Sequence, residues 1–311
     1  MTEQRKVYFN GQFVPESEAR VSIFDSALTF GDMVFEFTRT FNGKPFRLKE
    51  HLVRLYAGIK LLEIDCGLSI EEMEAATLKT IEINRPYFTE KSDFSINHNV
   101  SRGPMESYSA AFPEGLEPTV VINCWPLTWY LSNFAEFYDT GVHAIIPRQQ
   151  TVPSRLIDPK IKNRSRIYYQ IGTLQAHHID PKSLALFTDE DGFITEGSGS
   201  NFFIVKDGEL FTPEPRNILR GVTRQAILDL APQIGLPSHE RNIEPYDVMT
   251  ADEAFFATTP YAIAPATKIN GMPIGTGKPG PITWQLIGAW SDMVGVDIVE
   301  QAKSAAKIAR K

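Results

Sequence analysis

The stretch DPKIKN (158–163) sets two lysines, Lys160 and Lys162, on either side of Ile161. Strand-like RLID and KIK run into it. The helix pattern RSRIYYQIGTLQAHHI follows, with Asn163 placed to cap its start. A lysine at a strand–helix junction faces a site more often than one in mid-helix. With a lowered pKa its amine forms Schiff bases with carbonyl compounds. On spacing alone, a pair of solvated charges is the commoner outcome.

Three further stretches pair chemistry with backbone punctuation. In FITEGSGSNFFIV, Glu196 ends an apolar strand and enters a small-residue loop that lets backbone approach a ligand. A carboxylate there could hold a protonated ring nitrogen, although a solvated acid in a hairpin loop has the same pattern. In ILRGVTRQAILDL, Gly221 precedes a helix start at Val222 and Thr223, whose free N–H groups and dipole favour an anion. A plain glycine turn capped by threonine reads identically. In FFATTPYAIAP, Thr258 and Thr259 offer two hydroxyls and one backbone N–H for a phosphate or carboxylate, beside Pro260, which has no N–H to donate.

Two arginines are placed to fork onto a carboxylate. Arg39 shares a strand face with Phe35 and Phe37 by the two-residue period, and Arg102 precedes the turn of NVSRGP. A surface arginine is the commoner outcome for each. His177 and His178 end a helix pattern without a partner at metal-ligand spacing, so they read as structural and no metal is expected. There is no GxSxG, P-loop or HExxH.

The elements that must hold these residues mix hairpins and helices. Five pairs, Asn10-Gly11, Asn42-Gly43, Asp191-Gly192, Asp207-Gly208 and Asn270-Gly271, accept the positive φ of tight turns between apolar or alternating runs. KEHLVRLYAGIKLLEI puts Leu52, Leu55, Tyr56, Ile59 and Leu62 on one helical face, and SIEEMEAATLKTIEI opens with a Ser69–Glu72 capping box. TRQAILDLAPQIG, weakened by Pro232, and ITWQLIGAWSDMVG complete the helices. Without regular strand–helix–strand alternation this is an α+β pattern, with a boundary near NCWPLTWYLSNFAEF.

Bulk properties remove several classes. The 311-residue chain carries a net charge of −7, which argues against a general nucleic-acid surface, and its basic end KSAAKIARK reads as a solvated tail. Cys66 and Cys124 sit in no CxxC or Cys/His array. No signal peptide or membrane-length segment is evident, so a cytoplasmic protein with reduced thiols is expected.

FGDMVFEFTR, FRLKEHLVRL, DPKIKN, ITEGSGSNFFIV, LRGVTRQAI and FFATTP, taken in order, resemble the fold-type-IV pyridoxal-phosphate enzymes. The chain looks like a class IV aminotransferase from about residue 5 to 295. That group holds the branched-chain, D-amino-acid and (R)-amine transaminases. The resemblance implies that Lys162, not Lys160, binds pyridoxal 5′-phosphate and shuttles the proton in a ping-pong transfer to a 2-oxo acid. It implies that Glu196 faces the pyridine nitrogen. Arg54, the Val222 and Thr223 N–H groups and the Thr259 hydroxyl would form the phosphate cup, with Phe35, Phe37, Arg39, Arg102, Thr258 and Pro260 near the substrate. It further implies a small α+β domain (1–125), a loop (126–136), a larger barrel-like α/β domain (137–311), and a homodimer with sites at the domain interface.

The departures from the family concern substrate. Branched-chain enzymes carry a tyrosine five residues after the lysine, where this chain has Ile167. Tyr168 follows, but one residue turns a helical side chain by about 100°. The second of two successive N–H groups used for the α-carboxylate falls on Pro260, leaving Arg39 and Arg102 as candidates. Phe37 replaces a small glycine and narrows the pocket. NVSRGP, DPKIKN and ITEGSGSN lean toward the D-amino-acid and (R)-amine groups. The competing readings are a lyase of the aminodeoxychorismate type and a non-catalytic relative. The joint presence of Lys162, Glu196, Arg54 and Thr259 weighs against the latter.

Overall fold

The structure is a computed structural model that describes residues 4–88 and 93–309. Arg310 and Lys311 of the basic end lie outside the described residues. The chain divides into two compact units: residues up to Leu127 with Ile161–Arg166, and Thr128–Lys160 with the remainder from Ile167.

The first unit is an antiparallel sheet of β1 (Lys6–Phe9), β2 (Gln12–Pro15), β3 (Met33–Phe41), β4 (Lys44–Pro45), β5 (Phe94–Ser101) and β6 (Thr119–Pro126) in the order β2-β1-β6-β5-β3-β4. Its helices are α1 (Ser26–Phe30), α2 (Leu48–Leu61) and α3 (Ile70–Asn84). Asn42 and Gly43 take φ of 51° and 72° in the β3–β4 turn, the left-handed values that a two-residue hairpin demands. The capping box of α3 is formed, with Ser69 and Glu72 bonding each other's backbone N–H. Leu52, Leu55 and Ile59 of α2 join Met73 and Ile81 of α3 and Val34, Ile96 and Ile122 of the sheet in one core. By strand alternation Val34, Glu36, Thr38 and Thr40 share that helix-covered face, and Met33, Phe35, Phe37 and Arg39 line the other.

The second unit comprises α4 (Thr128–Leu131), α5 (Phe137–Thr140), β7 (Val142–Ile145), α6 (Ile167–Ile179), β8 (Leu184–Thr188), β9 (Ile194–Gly197), β10 (Asn201–Lys206), β11 (Glu209–Thr212), α7 (Val222–Leu230), β12 (Ser238–Glu240), α8 (Pro245–Met249), β13 (Glu253–Thr258), β14 (Ala262–Ile269), β15 (Met272–Pro273), α9 (Pro281–Val294) and α10 (Ile298–Ala309). Its nine-stranded sheet closes on itself through β10-β13-β14-β7-β8-β9, because β9 pairs back onto β10 at Glu196–Asn201. The α+β class and the barrel-like sheet are as expected. Pro232 falls just past α7, where the chain tightens into a 3-10 turn. No described helix is long and apolar enough to cross a membrane.

Two local expectations are corrected. RLID and KIK are turns and bends, not strands. Asn163 does not cap α6, which begins four residues later at Ile167. Its backbone instead forms an isolated antiparallel bridge with Val34, secured by Phe35 N–H donating to the Lys162 carbonyl (2.9 Å) and Arg164 N–H to that of Met33 (2.9 Å). These bonds attach 161–166 to the first unit.

Candidate active site

In the first unit the Val34–Asn163 bridge decides where the lysine points. Its flanking residues pair as Phe35 with Lys162 and Met33 with Arg164, so these side chains share the sheet face opposite the helices. Lys162 Nζ lies 4.7 Å from the Phe35 ring centroid. Lys160 is tied down elsewhere: its Nζ pairs with Asp158 (2.8 Å) and donates to the Arg216 carbonyl (3.1 Å).

Arg54 projects from α2 onto a fully buried carboxylate, Glu36. Its Nε donates to Oε2 at 2.8 Å and its Nη2 to Oε1 at 2.6 Å, a two-point grip that fixes the guanidinium plane. His51 Nδ1 lies 3.0 Å from the same Oε1. Burial pushes the Glu36 carboxyl up, but Arg54 and His51 outweigh it and hold the group well below the usual carboxylate range. Burial also pulls His51 down, so the histidine is neutral near pH 7. Because Glu36 is depressed in the folded state, its stabilisation is full above an ordinary glutamate pKa of about 4.3 and lost as pH falls through the folded value. Glu36→Gln therefore lowers neutral-pH stability, by about 3–5 kcal/mol, and flattens the acid limb of the stability profile. Denaturant melts from pH 3 to 8 check this; parallel profiles for both proteins would refute it.

In the second unit Glu196 is nine-tenths buried and accepts three hydrogen bonds. Tyr169 Oη donates to Oε1 at 2.6 Å, while Asn201 Nδ2 (3.2 Å) and the Leu219 N–H (3.1 Å) donate to Oε2. Asn201 is also the strand partner of Glu196 at the barrel closure, so the ladder itself sets the acid against its donor.

The N-terminus of α7 approaches the same asparagine. A Cβ on Gly221 would stand 2.0 Å from Asn201 Oδ1, so only glycine permits this approach. Gly221 is the N-cap and caps with no side chain, leaving the Val222 and Thr223 N–H groups at the first helical positions, without intrahelical partners. The β13–β14 turn lies at the same barrel end, since Asn201 pairs with Ala257. Thr258 Oγ1 donates to the Gly199 carbonyl (2.6 Å), so its hydroxyl is committed to the loop. Thr259 is half-buried and Pro260 buried. The turn exits through Ala262 at φ 59°, a left-handed value that costs a residue with a Cβ about 1 kcal/mol or more.

The other residues singled out by sequence are placed as follows. Arg39 is buried, stacked 3.7 Å over Phe41, 3.9 Å from Asp93 Oδ2, and donates from Nε to the Thr40 carbonyl. Arg102 is partly exposed, and its guanidinium is shared among Asp32 (2.9 Å) and the carbonyls of Glu63 and Leu62. Phe37 packs edge-on against Trp125 at 5.7 Å. Ile167 is exposed, and Tyr168 packs on Tyr169 at 4.3 Å. Sequence reasoning missed Glu36, His51, Tyr169 and Asn201. Asn201 stands inside the quoted ITEGSGSN motif, five residues after Glu196, where a two-strand turn returns it to the acid.

Comparison with known proteins places the chain in a family. The family model described as amino-transferase class IV matches residues 33–269. A Methanocaldococcus jannaschii protein provisionally named a branched-chain-amino-acid aminotransferase is 34% identical over 289 residues, covering 93% of this chain and 96% of that protein. A D-alanine aminotransferase of Bacillus licheniformis is 31% identical, covering 89% and 93%. A solved branched-chain amino acid aminotransferase of Escherichia coli superposes with a TM-score of 0.83 at 27% identity, covering 94% of this chain and 95% of that one. Another branched-chain enzyme, solved with pyridoxamine 5′-phosphate, superposes with a TM-score of 0.84 at 27% identity, covering 95% and 96%.

Proposed function

The chain belongs to the class IV aminotransferases and is a pyridoxal-phosphate-dependent transaminase, and from that premise we propose that it exchanges amino groups between branched-chain amino acids and 2-oxo acids. The observation that carries the substrate class is the aromatic face of the first unit. Phe37 of β3 and Trp125 packed against it are half-buried rings on the sheet face that also carries Lys162, which suits an apolar substrate side chain.

The residues present fit the cofactor. Glu196, buried and held by three donors, has the chemistry to face a ring N–H. Gly221 leaves bare N–H groups where a phosphate binds. Bound pyridoxal phosphate supplies a carbonyl for the amine to attack and a ring that accepts the electron pair left at the substrate Cα. Lys162 Nζ would hold its carbonyl carbon and, when free, would serve as the base and then the acid that moves the substrate Cα proton. Glu196 would keep a proton on the cofactor's ring nitrogen. In the second unit the Val222 and Thr223 N–H groups and the Thr259 hydroxyl would hold its phosphate; in the first, Arg54, its plane set by Glu36, is the matching candidate phosphate ligand. Ile23, Leu28 and Phe30 are 71%, 68% and 67% exposed, three large apolar side chains within eight residues whose exposure suits the self-association of a homodimer.

A second reading has specific support. The 31% identical relative is a D-alanine aminotransferase, and Pro260 withdraws a backbone N–H at the threonine turn. The deciding experiment follows loss of the bound cofactor's visible band after separate additions of L-leucine, D-alanine and (R)-phenylethylamine. Rapid bleaching by L-leucine alone is expected. Faster bleaching by D-alanine or the (R)-amine would transfer the chain to the other groups.

A further inference from the structure

A transaminase must hold the α-carboxylate close to its reacting amine, since nitrogen and carboxylate are bonded to one carbon. At the threonine turn Pro260 offers no N–H. The arginines the sequence suggested have partners that draw them away: Arg39 is buried against Phe41 and Asp93, and the exposed Arg102 is held by Asp32 and two carbonyls. We propose that Arg164 is the residue that binds the substrate carboxylate, an inference that rests on Lys162 being the reacting amine.

The geometry follows from the one-residue bridge. With Asn163 opposite Val34, Lys162 and Arg164 flank the bridge, opposite Phe35 and Met33, and face the same side. Both cations sit over one ring: Lys162 Nζ is 4.7 Å from the Phe35 centroid and Arg164 Cζ 3.6 Å. Ring stacking fixes the tilt of the Arg164 guanidinium. Asn99, the strand partner of Phe35, fixes its rotation by accepting from Nε (3.3 Å) and Nη2 (2.9 Å). The residue is nonetheless exposed. A planar, permanently charged fork held beside the reacting amine but open to solvent has the form of a carboxylate reader. Asn99 thus serves as its positioning residue. Arg166 is the nearest rival, with Cζ 5.6 Å from the same ring.

The test measures affinity of the holoenzyme for 4-methylvalerate and for its neutral amide by titration calorimetry, alongside KM and kcat for 2-oxo acids. Arg164→Gln is expected to weaken the acid about ten- to a hundred-fold, with the amide unchanged, and to raise KM by a similar factor with a smaller change in kcat. Arg164→Lys, which keeps charge but not the fork, falls between. Equal loss for acid and amide, or no loss for either, would overturn the proposal, as would an acid-selective loss in Arg166→Gln and not in Arg164→Gln. Failure of the underlying reading is separate: it would show as turnover surviving Lys162→Ala.

Discussion

Lys162→Ala abolishes both turnover and the visible band of bound cofactor, while Lys160→Ala retains both. The two lysines are two residues apart and chemically identical, so the difference lies in what holds them. Lys160 Nζ is engaged by Asp158 and by the Arg216 carbonyl. Breaking such a partly exposed pair costs little, about 1 kcal/mol or less. Lys162 is carried by the backbone bonds of the Asn163–Val34 bridge onto the face of Phe35, with Arg164 and Arg166 over the same ring. Only the neutral form of such an amine attacks a carbonyl and takes a proton. Positioned proton transfer alone is worth about 10²–10⁴ in rate, and the covalent step is lost with it. Absorbance of the reconstituted proteins and a steady-state assay decide the matter. A colourless Lys160→Ala beside a coloured, active Lys162→Ala would reverse the assignment.

Local signals carried much of the fold and part of the site. Asn-Gly and Asp-Gly pairs mark hairpins because positive φ is a property of those residues. The capping box and the α2 stripe are equally local. The Asn163 bridge left no trace, since a single paired residue has no periodicity. In VFEFTRTF the alternation would send Glu36, Thr38 and Thr40 to solvent, yet α2 and α3 cover that face and all three are buried. Glu36 is recovered only once Arg54 and His51 are seen to descend on it from α2. Tyr169 escaped for a related reason. Counting from the lysine directs attention to Ile167 and Tyr168. The helix, however, starts at Ile167, and its rotation turns the next-but-one residue inward toward β9.

Glu196→Gln tests that inward contact most directly. Glutamine keeps the shape: its oxygen can accept from Asn201 Nδ2 and the Leu219 N–H while its NH2 donates to Tyr169 Oη, so the barrel closure survives, but the negative charge is gone. If Glu196 keeps a proton on the cofactor ring nitrogen, the variant loses the electrostatic help given to the electron pair leaving Cα. Its kcat falls by about 10²–10³. Tyr169→Phe is milder: the Asn201 and Leu219 donors remain, and loss of one hydrogen bond to a charged acceptor lowers kcat by about tenfold. Removing the phenol also raises the proton affinity of the carboxylate, so the shared proton moves from ring nitrogen toward Glu196. That shift is visible as a change in the nitrogen-15 resonance of labelled cofactor, in the same direction as in Glu196→Gln and smaller. A purely structural tyrosine would lower the melting temperature and leave that resonance in place.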